Sequence, residues 1–210
     1  MKNDKKLLNK KQMTIPKFNN VPNERIQLRY TTNSGKQVDL DYFISRSVAV
    51  VGVVIASTLN GMYVLIAQRS KNMRDEALKF GVPCGYLDWN ENAHEAMVRE
   101  ICEETSLHLP DFEKYIIFDN NKQPYCVKSS PSENHQNVSL LFVTVVDLYA
   151  EMQLFPYDIE KFTCHETSMV KWMPFVEFIT NRKNIEWAFN HDETIMGALK
   201  HFNENYKANG

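Results

Sequence analysis

Two stretches of the chain are apolar almost without interruption. Ser47–Ser57 (SVAVVGVVIAS) and Val138–Asp147 (VSLLFVTVVD) are rich in β-branched residues, which predicts strands covered on both faces. Asn60-Gly61 predicts a turn after the first, and Met62–Gln68 (MYVLIAQ) its antiparallel neighbour. Weaker strand signals fall around Leu78–Val82, at Tyr115–Phe118 and at Ser168–Met173, the last closed by Pro174. Upstream, Ile26–Tyr30 and Lys36–Ile44 alternate on either side of Thr-Thr-Asn-Ser-Gly, the pattern of a β-hairpin. Helical periodicity appears twice. Asn92 followed by Glu95 is a capping signal for a helix running to about Thr105, with Met97, Val98, Ile101 and Thr105 on one arc. Ile195, Leu199, Phe202 and Tyr206 predict an amphipathic helix over Asp192–Tyr206. Asp119–Asn137 is a long polar loop broken by Pro124–Val127, a length usually functional or disordered. Strands interleaved with two or three helices indicate one α/β layered domain.

The first helix carries an unusual charge pattern. Glu100, Glu103 and Glu104 fall within about one third of its circumference, at the edge of the apolar stripe. Like charges at that spacing repel, and they stand in the last turn, where the helix dipole disfavours anions. A divalent cation would offset both effects, and Mg²⁺ or Mn²⁺ suits hard oxygen ligands. An isolated Glu-Glu pair is more often a solvated helix end, so the wider spacing decides. Gly85 is followed after five residues by Glu91, and after seven more by Arg99-Glu100-Ile101-Cys102-Glu103-Glu104, with Leu107 three beyond.

That arrangement resembles the Nudix box: glycine, five residues, glutamate, seven residues, then Arg-Glu-aliphatic-any-Glu-Glu-any-Gly-aliphatic. Ser106 stands where the motif has its second glycine, and a left-handed backbone there would cost a serine roughly 1 kcal/mol. The resemblance implies a Nudix-type α/β/α sandwich with a mixed sheet over Arg46–Ile179, preceded here by the N-terminal hairpin. It implies hydrolysis of a pyrophosphate bond in a nucleoside diphosphate linked to another moiety, ADP-sugar-like, with Mg²⁺ or Mn²⁺ as cofactor. Carried over by position, Glu100, Glu103 and Glu104 would ligate metal with the Gly85 carbonyl, and Glu91 and Arg99 would form a supporting ion pair. The general base would be a box glutamate (Glu100 or Glu103) or a later loop acid, for which Glu166 in CHETSMVKW is the candidate. Arg69, ending the second core strand, could grip a substrate phosphate or pair with Asp75 or Glu76. Trp89 and Phe142 are read as packing residues rather than base platforms.

Composition narrows the rivals. Lys+Arg 24 against Asp+Glu 26 gives a net charge of −2, so no overall field favours nucleic acid or a membrane surface. The cysteines, Cys84, Cys102, Cys126 and Cys164, form no paired spacing, which argues for reduced thiols in a cytoplasmic protein. The Lys-rich start lacks an apolar signal region, and no apolar run approaches the ~20 residues of a membrane helix. The expected organisation is a basic flexible tail (1–20), a hairpin element (21–45) and the hydrolase domain with its C-terminal amphipathic helix (46–210). The expected partner is a nucleotide-derived small molecule, with a homodimer left open. The alternatives are a nucleoside triphosphate or RNA 5′-end pyrophosphohydrolase and, from another class, a non-catalytic nucleotide-ligand sensor.

Overall fold

A computed structural model describes residues 24–44, 47–129 and 137–206. The Lys-rich tail at 1–20 and part of the polar loop, 130–136, lie outside the described residues. The chain divides into two compact units, of which the first contains the hairpin. Its strands β1 (Glu24–Thr31) and β2 (Gln37–Ile44) pair antiparallel from Thr31↔Gln37 to Glu24↔Ile44. Gly35 takes the positive φ of 81° that the turn requires. Arg29 and Asp39, opposite one another in register, form an exposed ion pair at 2.5 Å.

The second unit is built on a mixed eight-stranded sheet. Its elements are β3 (Val48–Thr58), β4 (Gly61–Arg69), β5 (Phe80–Gly81), β6 (Cys84–Tyr86), α1 (Ala93–Thr105) and β7 (Ile116–Phe118). They continue with β8 (Cys126–Lys128), β9 (Val138–Asp147), β10 (Thr167–Pro174), α2 (Phe175–Asn181) and α3 (His191–Asn205). The strand order is β10-β4-β3-β9-β7, with β5 on β4, β6 on β3 and β8 on β9. The two apolar runs, β3 and β9, lie side by side and parallel at the centre.

Each central strand feeds both faces, as its uninterrupted apolar pattern requires. Val50, Val54, Leu65 and Phe142 pack with Met97 and Ile101 of α1 on one side. Val53, Ile66, Val143 and Val145 pack with Phe178 of α2 and Ile195 and Ala198 of α3 on the other. Gly52 permits the close approach of α1, because a Cβ there would stand 2.8 Å from Ile101 Cδ1. The result is an α/β/α sandwich. Its second helical layer includes the short α2, which the sequence did not locate.

One topological detail creates the site. β3 and β4 pair only near their shared turn, from Thr58↔Gly61 to Ile55↔Val64. Beyond that point they part, and β6 takes up β3 at Ala49–Val51 while β5 takes up β4 at Ala67 and Gln68. The gap between them opens beside the C-terminal end of α1.

At the border of the sheet, β10 is irregular between Thr167 and Met169 and ends at Pro174. The Trp172 N–H donates to the Glu160 carboxylate at 2.9 Å. Among the described residues, no helix is long and apolar enough to cross a membrane.

Candidate active site

Helix α1 is fixed at both ends by local chemistry. The Asn92 side chain accepts from the N–H groups of His94 and Glu95, and the Asn92 N–H donates to the Glu95 carboxylate at 2.8 Å. This reciprocal cap satisfies donors that the first turn would otherwise leave unpaired. At the other end Ser106 adopts φ 62° and ψ 10°, and its N–H donates to the Cys102 carbonyl at 2.8 Å. Ser106 therefore stands in the left-handed conformation that the glycine of the motif would hold freely.

The carboxylates differ in depth. Glu100 and Glu104 are only 9% and 7% exposed, whereas the Glu103 side chain is 59% exposed. Periodicity alone put all three at the edge of the stripe. The strand β6 covers two of them, because Gly85 lies directly against the Glu100 carboxyl and any Cβ there would overlap it. The Cys84 N–H donates to Glu104 at 3.1 Å.

Arg99 gathers this end of the helix. Its Nε and one terminal nitrogen hold Glu91 at 3.0 and 2.7 Å, and that second nitrogen also reaches the Tyr86 carbonyl at 3.0 Å. The other terminal nitrogen holds Glu100 at 2.7 Å and Glu103 at 2.9 Å. All five guanidinium donors are thereby used, which an ammonium could not reproduce. The guanidinium draws the Glu91 carboxyl below the usual range. Burial raises Glu100 despite Arg99, and burial pushes Glu104 up to about 8 despite the Cys84 N–H. Cys84 is raised by burial and then by Glu104, so its thiol stays protonated and unsuited to nucleophilic attack.

Long-range pairing adds two more of the candidates. The register of β10 on β4 sets Thr167 opposite Arg69, and the Ser70 N–H donates to the Glu166 carbonyl at 2.7 Å. Arg69 and Glu166 consequently line one recess with Glu104, Cys84 and His191 in the gap between the parted strands. Glu166 is close enough to raise both Glu100 and Glu104 electrostatically, and Arg69 opposes that effect at Glu104. Arg69 pairs with neither acid weighed for it. Its Nε donates to the Asp75 carbonyl at 3.1 Å, while Glu76 pairs with Lys79. The guanidinium carbon lies 5.1 Å from the centroid of the Phe189 ring.

Sequence reasoning missed Phe189, which precedes α3, and His191, which opens it, about 80 residues beyond the box. The Val82 N–H donates to His191 Nδ1 at 3.1 Å, which leaves the ring proton on Nε2. Burial first, then the charges of Lys128 and Arg69, lowers His191 to about 3, so the ring is neutral. Phe142 is a core residue at 1% exposure, but Trp89 is 83% exposed and packs little. That departs from the packing role expected of Trp89, since its loop projects away from the core.

A divalent cation fits the donors by type: Glu100, Glu103 and Glu104 offer hard oxygens on one helix face, and Gly85 brings backbone against Glu100 without a side chain between. Among the described residues, no three acidic, His or Cys side chains converge into a formed metal cage. Arg99 engages Glu100 and Glu103, and the Cys84 N–H engages Glu104.

The NUDIX domain family matches residues 46–195 in sequence. Comparison with the curated proteins gives no sequence match. Among solved structures, the fold resembles the NUDIX domain of NrtR from Shewanella oneidensis complexed with ADP ribose (18% identity, TM-score 0.53, 76% of this chain and 90% of that one). It also resembles a mutT/nudix family protein from Listeria innocua (21% identity, TM-score 0.52, 78% and 98% covered). A third likeness is to a bifunctional NMN adenylyltransferase/ADP ribose pyrophosphatase from Francisella tularensis, complexed with AMP and a Mn ion. It is 19% identical with a TM-score of 0.53, over 75% of this chain and 42% of that one.

Proposed function

The chain belongs to the NUDIX domain family, and from that premise we propose that it hydrolyses the pyrophosphate bond of a nucleoside diphosphate linked to a sugar or similar group. The observation that carries this reading is the recess that joins Arg69, Glu104 and Glu166 beside Glu100, from strands and a helix distant in sequence. Likeness to an ADP ribose pyrophosphatase and to a domain bound to ADP ribose supports the substrate class.

Glu100, Glu103 and Glu104, with the Gly85 carbonyl, would hold Mg²⁺ or Mn²⁺. When bound, the metal neutralises phosphate charge and polarises the phosphorus toward attack. Arg69 binds phosphate oxygens through terminal nitrogens that make no other hydrogen bond among the described residues. Glu166 takes a proton from the attacking water as its oxygen bonds to phosphorus and the bridging P–O bond breaks. The products are a nucleoside monophosphate and the phosphorylated partner group. Arg99 and Glu91 keep the end of α1 against β6 throughout.

A panel of nucleotide sugars, dinucleotides and nucleoside triphosphates, each with Mg²⁺ and with Mn²⁺, tests the reading when both products are identified. Cleavage confined to diphosphate derivatives, and abolished by chelator, is expected. Cleavage of triphosphates alone would shift the assignment to the house-cleaning or RNA 5′-end class. The likeness to NrtR, solved with ADP ribose and also with a 27mer DNA, motivates a ligand sensor as the second reading. Tight ADP-ribose binding without turnover would favour that one.

A further inference from the structure

Phe189 has a positive φ of 51°, and Asn190 follows at 57°. A bulky aromatic rarely adopts that conformation, which persists only where the surroundings over-determine it. Both sides of this turn are anchored. Upstream, Ala188 is fully buried, Phe80 pairs with Trp187, and the Phe80 N–H donates to the Glu186 carbonyl at 2.9 Å. Downstream, His191 is tied to the Val82 N–H and fits only because residue 81 is glycine, where a Cβ would come within 2.7 Å of Nδ1. Between these anchors the chain crosses the left-handed region, and the crossing sets the Phe189 ring against Arg69.

Arg69 is thus held twice, by the Asp75 carbonyl at Nε and by the ring of Phe189 across its face. Neither contact consumes the terminal nitrogens. We propose that Phe189 is a positioning residue: its strained turn presents a ring that orients the Arg69 guanidinium, so that its terminal nitrogens grip a nucleoside diphosphate. This rests on the reading of the recess as the substrate site. The sharing of Arg69 between an aromatic face and a fixed carbonyl removes side-chain freedom before the ligand arrives, which lowers the cost of ordering it on binding.

The test is a double-mutant cycle on ADP affinity, measured calorimetrically in Mg²⁺ with the full chain. Phe189→Leu keeps apolar bulk and removes the π face, and should weaken ADP by roughly two- to fivefold, the range of an exposed cation–π contact. Phe189→Trp, with the strongest π face, should bind ADP at least as tightly as the wild type. In an Arg69→Gln background, Phe189→Leu should change nothing further. In turnover, Phe189→Leu should raise KM more than it lowers kcat. Melting temperatures check that each variant is folded, and the Trp variant keeps the test open if the Leu variant is not. Equal loss in the Leu and Trp variants, additive effects in the cycle, or no ADP binding by the wild type would overturn the inference. Binding that follows the expected order with no hydrolysis of any substrate would support it and sink only the hydrolase reading.

Discussion

Acidification below neutral pH should destabilise this fold through His191. The ring is buried against Gly81, accepts the Val82 N–H through Nδ1 and lies in the positive field of Lys128 and Arg69. Its folded pKa, about 3, is below the ordinary 6.5, so the unfolded chain takes up a proton that the native one refuses. The contribution is therefore fully present above about pH 6.5 and lost progressively as pH falls toward 3. At about pH 5 linkage gives a loss of about 2 kcal/mol relative to neutral pH. His191→Asn isolates this component, because the amide oxygen can still accept the Val82 N–H but does not titrate. Urea unfolding at about pH 8 and pH 5 should show the wild type losing about 2 kcal/mol more than the variant. The variant will be weaker at both pH values through lost packing, so the difference in slope is the readout. Equal slopes would mean that His191 charges without penalty, and the account of its burial would fail.

Ser106→Gly should raise stability by up to about 1 kcal/mol, or a melting temperature gain of roughly 2–4 °C, because the position is already left-handed. A lower melting temperature would reveal a bond made by the hydroxyl. Glu103→Gln and Glu104→Gln should each reduce turnover by orders of magnitude at saturating Mg²⁺ while circular dichroism stays native; near-normal activity would remove that residue from the site. Glu166→Gln should depress kcat far more than KM and recover partly at high pH, where hydroxide replaces the lost base. An unchanged kcat across the pH range would return the base role to Glu100.

The parts legible in the sequence are those whose determinants are local. Asn92 and Glu95 mark the start of α1 through a bond pair three residues apart, and the β-branched run at Val138–Asp147 became β9 with the same limits. Ser106 announced its backbone conformation by standing where the motif has glycine. The unread parts depend on distant neighbours. Glu100 and Glu104 are buried because β6 lies over them, which a helical wheel does not contain. Arg69 meets Glu166 only through the β4–β10 register, nearly a hundred residues apart. The seven residues of α2 escaped because Val176 and Ile179 are exposed beside buried Phe178, leaving no clear stripe. Nothing in Trp-Ala-Phe-Asn-His signals a left-handed phenylalanine.

The border strand β10 bears on how copies of this chain could assemble. A bare edge is an open valence for another strand, and sheet-to-sheet pairing is a simple route to dimers and to fibres alike. Here the valence is spent internally: Glu160 occupies the Trp172 N–H, Pro174 on the same side of the strand has none to offer, and the irregularity at Thr167–Met169 breaks the register. Any homodimer that extends the sheet across this border would first have to displace Glu160. Association that leaves Glu160 in place must use a surface other than this border, and a Glu160→Ala substitution would turn a closed border into a sticky one.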